Sequence, residues 1–202
     1  MKTHKEDNHI ELSTARLEAF SDAVMAIIIT IAVLELKIPE GASFSLLLPL
    51  LPLFVAYLVS FQTIGTYWNN HHHLLRATKH VSASIMWFNL HLLFWLSLIP
   101  FTTGWVGANH GAAIPTALYA AVLLCAGIAY TLLQFAVTHH SEKRQELLQE
   151  LFKERKGTIS LVCYSLAIVL AFVNPIFSDI LIVAVSLMWF IPDRRIERAL
   201  SR

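Results

Sequence analysis

Charge is what this sequence lacks most. Only 14% of its 202 residues are Asp, Glu, Lys or Arg, against about 25% in an ordinary soluble domain. Hydrophobic residues make up 56%, and the mean hydropathy is +0.59. Such a chain is expected to be an integral membrane protein. A net charge of +1 provides no basic field for nucleic acid. Cysteine is scarce: Cys125 and Cys163 lie inside apolar segments and read as small buried hydrophobes rather than a disulfide or a metal site. Several motifs are missing altogether. No T-V-G-Y-G string builds a carbonyl filter, no Arg-rich helix senses voltage, and no P-loop or Gly-rich turn holds a nucleotide. No nucleophile–base set presents itself, so no enzyme activity and no cofactor are expected. The opening MKTHKEDNHIELSTAR mixes acids with bases and does not read as a signal peptide.

What the chain has instead is long apolar segments. They predict an all-α protein forming one transmembrane domain over residues 1–202, with six spans at roughly 16–37, 44–70, 82–103, 112–137, 158–174 and 175–192. The second continues as a helix to about residue 76, with Pro49 and Pro52 near its start, where proline is tolerated. The last two are divided by Asn174-Pro175 and the polar pair Ser178-Asp179, read as a hairpin, and a single re-entrant arrangement competes with that division. Basic residues fix the orientation. Fourteen of the fifteen fall in the N-terminal tail, the 2–3 and 4–5 connections and the C-terminal tail, leaving Lys37 alone on the other side. By the positive-inside rule both termini are expected in the cytoplasm. The 4–5 connection carries a predicted short amphipathic helix at about 142–156, with Leu147, Leu148, Leu151 and Phe152 set against Glu146, Glu150 and Glu154.

The first span, Arg16 to Leu36, carries the strongest signal. A polar cluster of Arg16, Glu18, Ser21 and Asp22 opens it, then a dozen apolar residues follow with Thr30 as the only polar side chain. Ile27, Ile31 and Leu34 are spaced i, i+4, i+7 and share one helix face. Surrounding lipid is as apolar as a core, so periodicity alone does not say which way that face points. Charges at the mouth of a membrane helix are functional suspects by default.

Arg16-x-x-x-Phe20-Ser21-Asp22 ahead of an apolar helix resembles the signature of the transmembrane protein 175 potassium channels, the endolysosomal channel of animals and its prokaryotic relatives. The resemblance implies a first helix lining a central pore, with the signature supporting it at the cytoplasmic end. Matched residue by residue, the constriction falls on Ile27, Ile31 and Leu34, and Thr30 is the hydroxyl layer linked to selectivity. Trp68-x-x-His71-His72 looks like a second family signature, and Asn89 and Pro100-Phe101 resemble a weaker third. The animal channels carry two such repeats per chain. This chain has one, which implies a homotetramer in the cell membrane of a prokaryote, with potassium ions as the permeant species.

The same residues have blander readings. Arg16, Ser21 and Asp22 fit anchoring of the first helix, attraction of cations at the inner mouth, or gating, and Glu18 adds negative potential there. Adjacent helical residues point about 100° apart, so His71, His72 and His73 do not converge on one metal ion. Hydrogen bonding of His71 and His72 to the Ser21/Asp22 cluster, interfacial packing and pH sensing remain. Pro100 reads as a helix-ending proline and Asn89 as an inter-helix hydrogen bond. Glu35 is either a wall of an acidic outer vestibule or a solvated charge beside Lys37. Two rival functions are weighed: a proton- or cation-coupled transporter using His91, Asp22 and the histidines, and a membrane metalloenzyme using His71–His73. The first lacks the pair of broken helices usual in such transporters.

Overall fold

The computed structural model describes residues 14–76, 78, 81–139 and 155–190, and every described element is helical. Helix α1 runs Thr14–Leu34. A 3-10 turn, Phe44–Leu50, leads into α2, Leu51–Leu75, followed by α3, Ala83–Ser97, and α4, Ile99–Ala108. Helix α5 spans Ala113–His139, α6 Arg155–Val173 and α7 Pro175–Trp189. Five stretches are long and apolar enough to cross a membrane, namely α1, Phe44–Leu75, Ala83–Ala108, α5 and α6. Helix α7 has 15 described residues, about 22 Å at 1.5 Å per residue, short of a hydrocarbon core of about 30 Å. The amphipathic helix expected at 142–156 lies almost wholly outside the described residues.

The punctuation differs from expectation in two places. Pro100 starts a helix instead of ending one. The third apolar segment breaks at Leu98, and Pro100 occupies the first turn of α4, where its missing N–H would have had no partner and its fixed φ suits the helix. Ser178 and Asp179 are likewise not hairpin residues. Helix α6 ends at Val173, Asn174 alone is extended, and its Oδ1 accepts from the backbone N–H of Ile176 at 3.0 Å. With Pro175 at the first position, α7 begins at once and carries Ser178 and Asp179 inside it. Ser82 caps α3 in the same way, accepting from Ile85 N at 3.3 Å.

Helix α5 is the hub. It packs against α3, α4, α6 and α7, and its buried Ala120, Ala126 and Ala129 let those neighbours approach closely. Helix α2 lies against α4 at a glycine notch: a Cβ on Gly107 would stand 2.7 Å from the Cα of Leu53. Above that notch Ser60 joins three helices. Its Oγ lies 2.6 Å from Thr103 Oγ1 and 2.8 Å from Tyr119 Oη, and Thr103 donates to the Ile99 carbonyl at 2.7 Å. Hydroxyl cross-ties of this kind hold apolar helices in register where no hydrophobic force separates inside from outside. Leu, Ile, Val and Phe side chains cover much of the outer surface, an extent that water would penalise and lipid does not.

Candidate functional site

Helix α1 has two faces of opposite character. Leu17, Ser21, Met25, Ile28 and Ala32, at helical spacing, form a buried stripe against α2, α3 and α4. On the other side Phe20, Ile27, Ile31 and Leu34 form a second stripe that the chain does not cover. Ile27 is 56% exposed, Ile31 45% and Leu34 76%. Thr30 is exposed beside them, and its hydroxyl donates to the Ile27 carbonyl at 2.8 Å. With the proton committed to the helix, the lone pairs are what Thr30 presents outward. Arg16, exposed, heads the same side.

The covered face is tied down by a polar chain at the start of the helix. Ser21 Oγ donates to the Leu17 carbonyl and accepts from Asn89 Nδ2, both at 2.9 Å. Asn89 Oδ1 in turn accepts from His71 Nε2 at 2.6 Å. Since an amide oxygen only accepts, His71 carries its proton on Nε2. Ser21, His71 and Asn89 are all fully buried, so α1, α2 and α3 are locked at one level by hydrogen bonds that exclude solvent. A second tie joins α1 and α2 nearer the surface, where His72 Nδ1 meets Glu18 Oε1. Two buried atoms beside this chain, His71 Nδ1 and Asp22 Oδ1, have no partner among the described residues.

The adjacent histidines thus reach different partners, as their 100° separation requires, and not the same Ser21/Asp22 pair. His71 reaches Ser21 only through Asn89, so the residue with the plainest sequence pattern turns out to be the bridge. Trp68 and Phe20, both exposed, take no part in the network. His91 faces outward, accepting from Trp95 Nε1 at 3.1 Å on its own helix. No cluster of three His, Cys, Asp or Glu side chains arranged for a metal ion occurs among the described residues. The Glu35 carboxylate lies over Gly104 of α4, in the space a Cβ there would take. Sequence reasoning also missed Ser60, Thr103 and Tyr119. Their signal was three hydroxyls in apolar helices, with nothing to say they meet.

The family described as endosomal/lysosomal potassium channel TMEM175 matches residues 16–100, the stretch holding α1, the histidines and Asn89. A protein named a potassium channel from Chryseobacterium sp. (strain P1-3) is 48% identical over 190 residues, covering 94% of this chain and 99% of that one. Another of that name from Streptomyces collinus (strain DSM 40733 / Tue 365) is 28% identical, covering 80% and 84%. The crystal structure of a lysosomal potassium-selective channel TMEM175 homolog from Chamaesiphon minutus superposes with a TM-score of 0.76 at 27% identity, over 87% of this chain and 95% of that one. A relative nearly half identical along its whole length, a matching signature region and a shared arrangement of helices agree: the chain is a multi-pass membrane protein and belongs to the TMEM175 channel family.

Proposed function

We propose that this protein is a passive potassium channel, in which four copies surround an axis and α1 of each supplies the pore wall. The observation that carries the reading is the division of α1 into a solvent-excluded face pinned by Ser21, Asn89 and His71 and an uncovered stripe of Phe20, Ile27, Ile31 and Leu34. A helix held rigidly on one side and bare on the other is suited to face a channel. In this arrangement Ile27, Ile31 and Leu34 form apolar layers that close by dewetting when the helices approach. Thr30 lies between two of these layers, and four copies turn oxygen lone pairs toward a partly dehydrated cation. Selectivity then comes from side chains and pore width.

The polar chain holds the helix at its inner end, with Arg16, Asp22 and Trp68 at the same level for contacts with neighbouring copies. Fourteen basic residues in alternate connections support a cytoplasmic location for both termini and residence in the cell membrane. The test replaces Cys125 and Cys163 by alanine, then introduces Leu34→Cys or, on the buried stripe, Met25→Cys. A methanethiosulfonate reagent should block potassium flux through the Leu34 variant and spare the Met25 variant. Block of neither, or of both alike, would remove this face from the pore.

A further inference from the structure

The polar chain at the head of α1 leaves two atoms unaccounted for. His71 Nδ1 and Asp22 Oδ1 are buried, and neither has a hydrogen-bond partner among the described residues. His71 is fully enclosed, so its ring does not reach solvent for one. Asp22 is half-buried at the start of α1, and its charge acts on the His71 ring across the contact between α1 and α2. The two groups are neighbours, yet they do not bond to each other directly.

Both atoms are acceptors. The His71 proton sits on Nε2 and goes to Asn89 Oδ1 at 2.6 Å, which leaves Nδ1 with a lone pair. An ionised Asp22 carries no proton to give. The Ser21 hydroxyl beside it donates to the Leu17 carbonyl at 2.9 Å, and His72 and Glu18 engage each other. Two buried acceptors side by side without a donor are costly in a low-dielectric interior. The group that answers both is small and donates twice. A structural metal ion fits poorly: it wants about four ligands, and no three His, Cys, Asp or Glu side chains gather for one among the described residues. A proton placed on Asp22 would serve the histidine only if the two atoms touched. A water molecule has two protons to give, and two to four polar partners are what hold a buried one. The half-exposed side of Asp22 gives it a way in from the inner end of α1.

We propose that a water molecule binds between Asp22 and His71, donating one hydrogen to Oδ1 and the other to Nδ1, as a second link between α1 and α2 beside the Asn89 bridge. Asp22 is then a positioning residue for α1, acting through an acceptor oxygen and not through its charge alone. The test is solid-state NMR of the whole protein in liposomes, with histidine labelled by 15N and the His71 ring assigned by its loss in His71→Asn. Magnetisation passed from water protons should reach Nδ1 of His71, and that nitrogen should carry no proton of its own. Asp22→Leu and Asp22→Asn both remove the charge at similar volume, but only asparagine keeps an acceptor oxygen. The leucine variant should lose the transfer from water, and the asparagine variant should keep it. No transfer in the unaltered protein, or a proton found on Nδ1, would overturn the proposal without recourse to any variant. Equal transfer in the leucine and asparagine variants would overturn it too. The readout does not involve potassium flux, so it stands or falls apart from the channel reading.

Discussion

If the Ser21–Asn89–His71 chain is what holds α1, Ser21 and Asn89 must be energetically coupled. Asn89→Ala cuts two cross-helix bonds, to Ser21 and from His71. Inter-helix hydrogen bonds in membranes average about 0.6 kcal/mol and reach about 1.7, so the variant should lose about 1–3 kcal/mol. Ser21→Ala cuts only one cross-helix bond, because the serine proton is already committed to Leu17 of its own helix; its cost is one such bond, about 0.6–1.7 kcal/mol. In the double variant that shared bond is lost once and not twice, so the cycle should leave a coupling of the same size. The assay is reversible unfolding of the whole protein in mixed micelles titrated with a denaturing detergent. As a control, His91→Ala removes the bond from Trp95 at an exposed position on a single helix, and should cost less than about 0.5 kcal/mol. Additivity of Ser21→Ala and Asn89→Ala within about 0.3 kcal/mol would refute the claim that the polar chain, and not the apolar stripe around it, fixes the helix.

Other expectations follow from the same geometry. Ile27→Asn should wet the constriction and raise single-channel conductance, and an unchanged current would move the gate elsewhere. Thr30→Val keeps the shape and removes the lone pairs, so the preference for potassium over sodium should fall; an unmoved reversal potential would take Thr30 out of selectivity. Gly107→Ala drives a methyl onto the Leu53 backbone and should destabilise the bundle by about 1–3 kcal/mol. Gly65→Ala, with nothing within 4 Å, should instead stabilise α2 by about 0.5–1 kcal/mol in the same unfolding assay.

Much of this was legible beforehand for reasons that are physical. Apolar run length gives helices that cross a bilayer whatever their packing, and α1, α5 and α6 begin and end within three residues of the expected limits. Facing was not legible in that way. The stripe Leu17–Met25–Ile28–Ala32 and the stripe Ile27–Ile31–Leu34 are equally apolar, and only the resemblance singled out the second. Proline misled because α3 ends at Ser97 and Pro100 sits in the first turn of α4, and sequence shows only that a break is near. Ser178 and Asp179 misled because Asn174 makes the whole turn, leaving no loop for them to occupy. The pairing of His72 with Glu18, and of His71 with Asn89, depends on how three helices rotate against one another. That is set by tertiary packing and has no local signature.

The central claim is passive, potassium-preferring conduction, and flux from liposomes holding the purified protein tests it most directly. Potassium and sodium efflux would be compared with and without an imposed proton gradient. Fast efflux that favours potassium and ignores the proton gradient is the predicted result. Slow, saturable efflux that follows the proton gradient would contradict it and move the mechanism to proton-coupled transport.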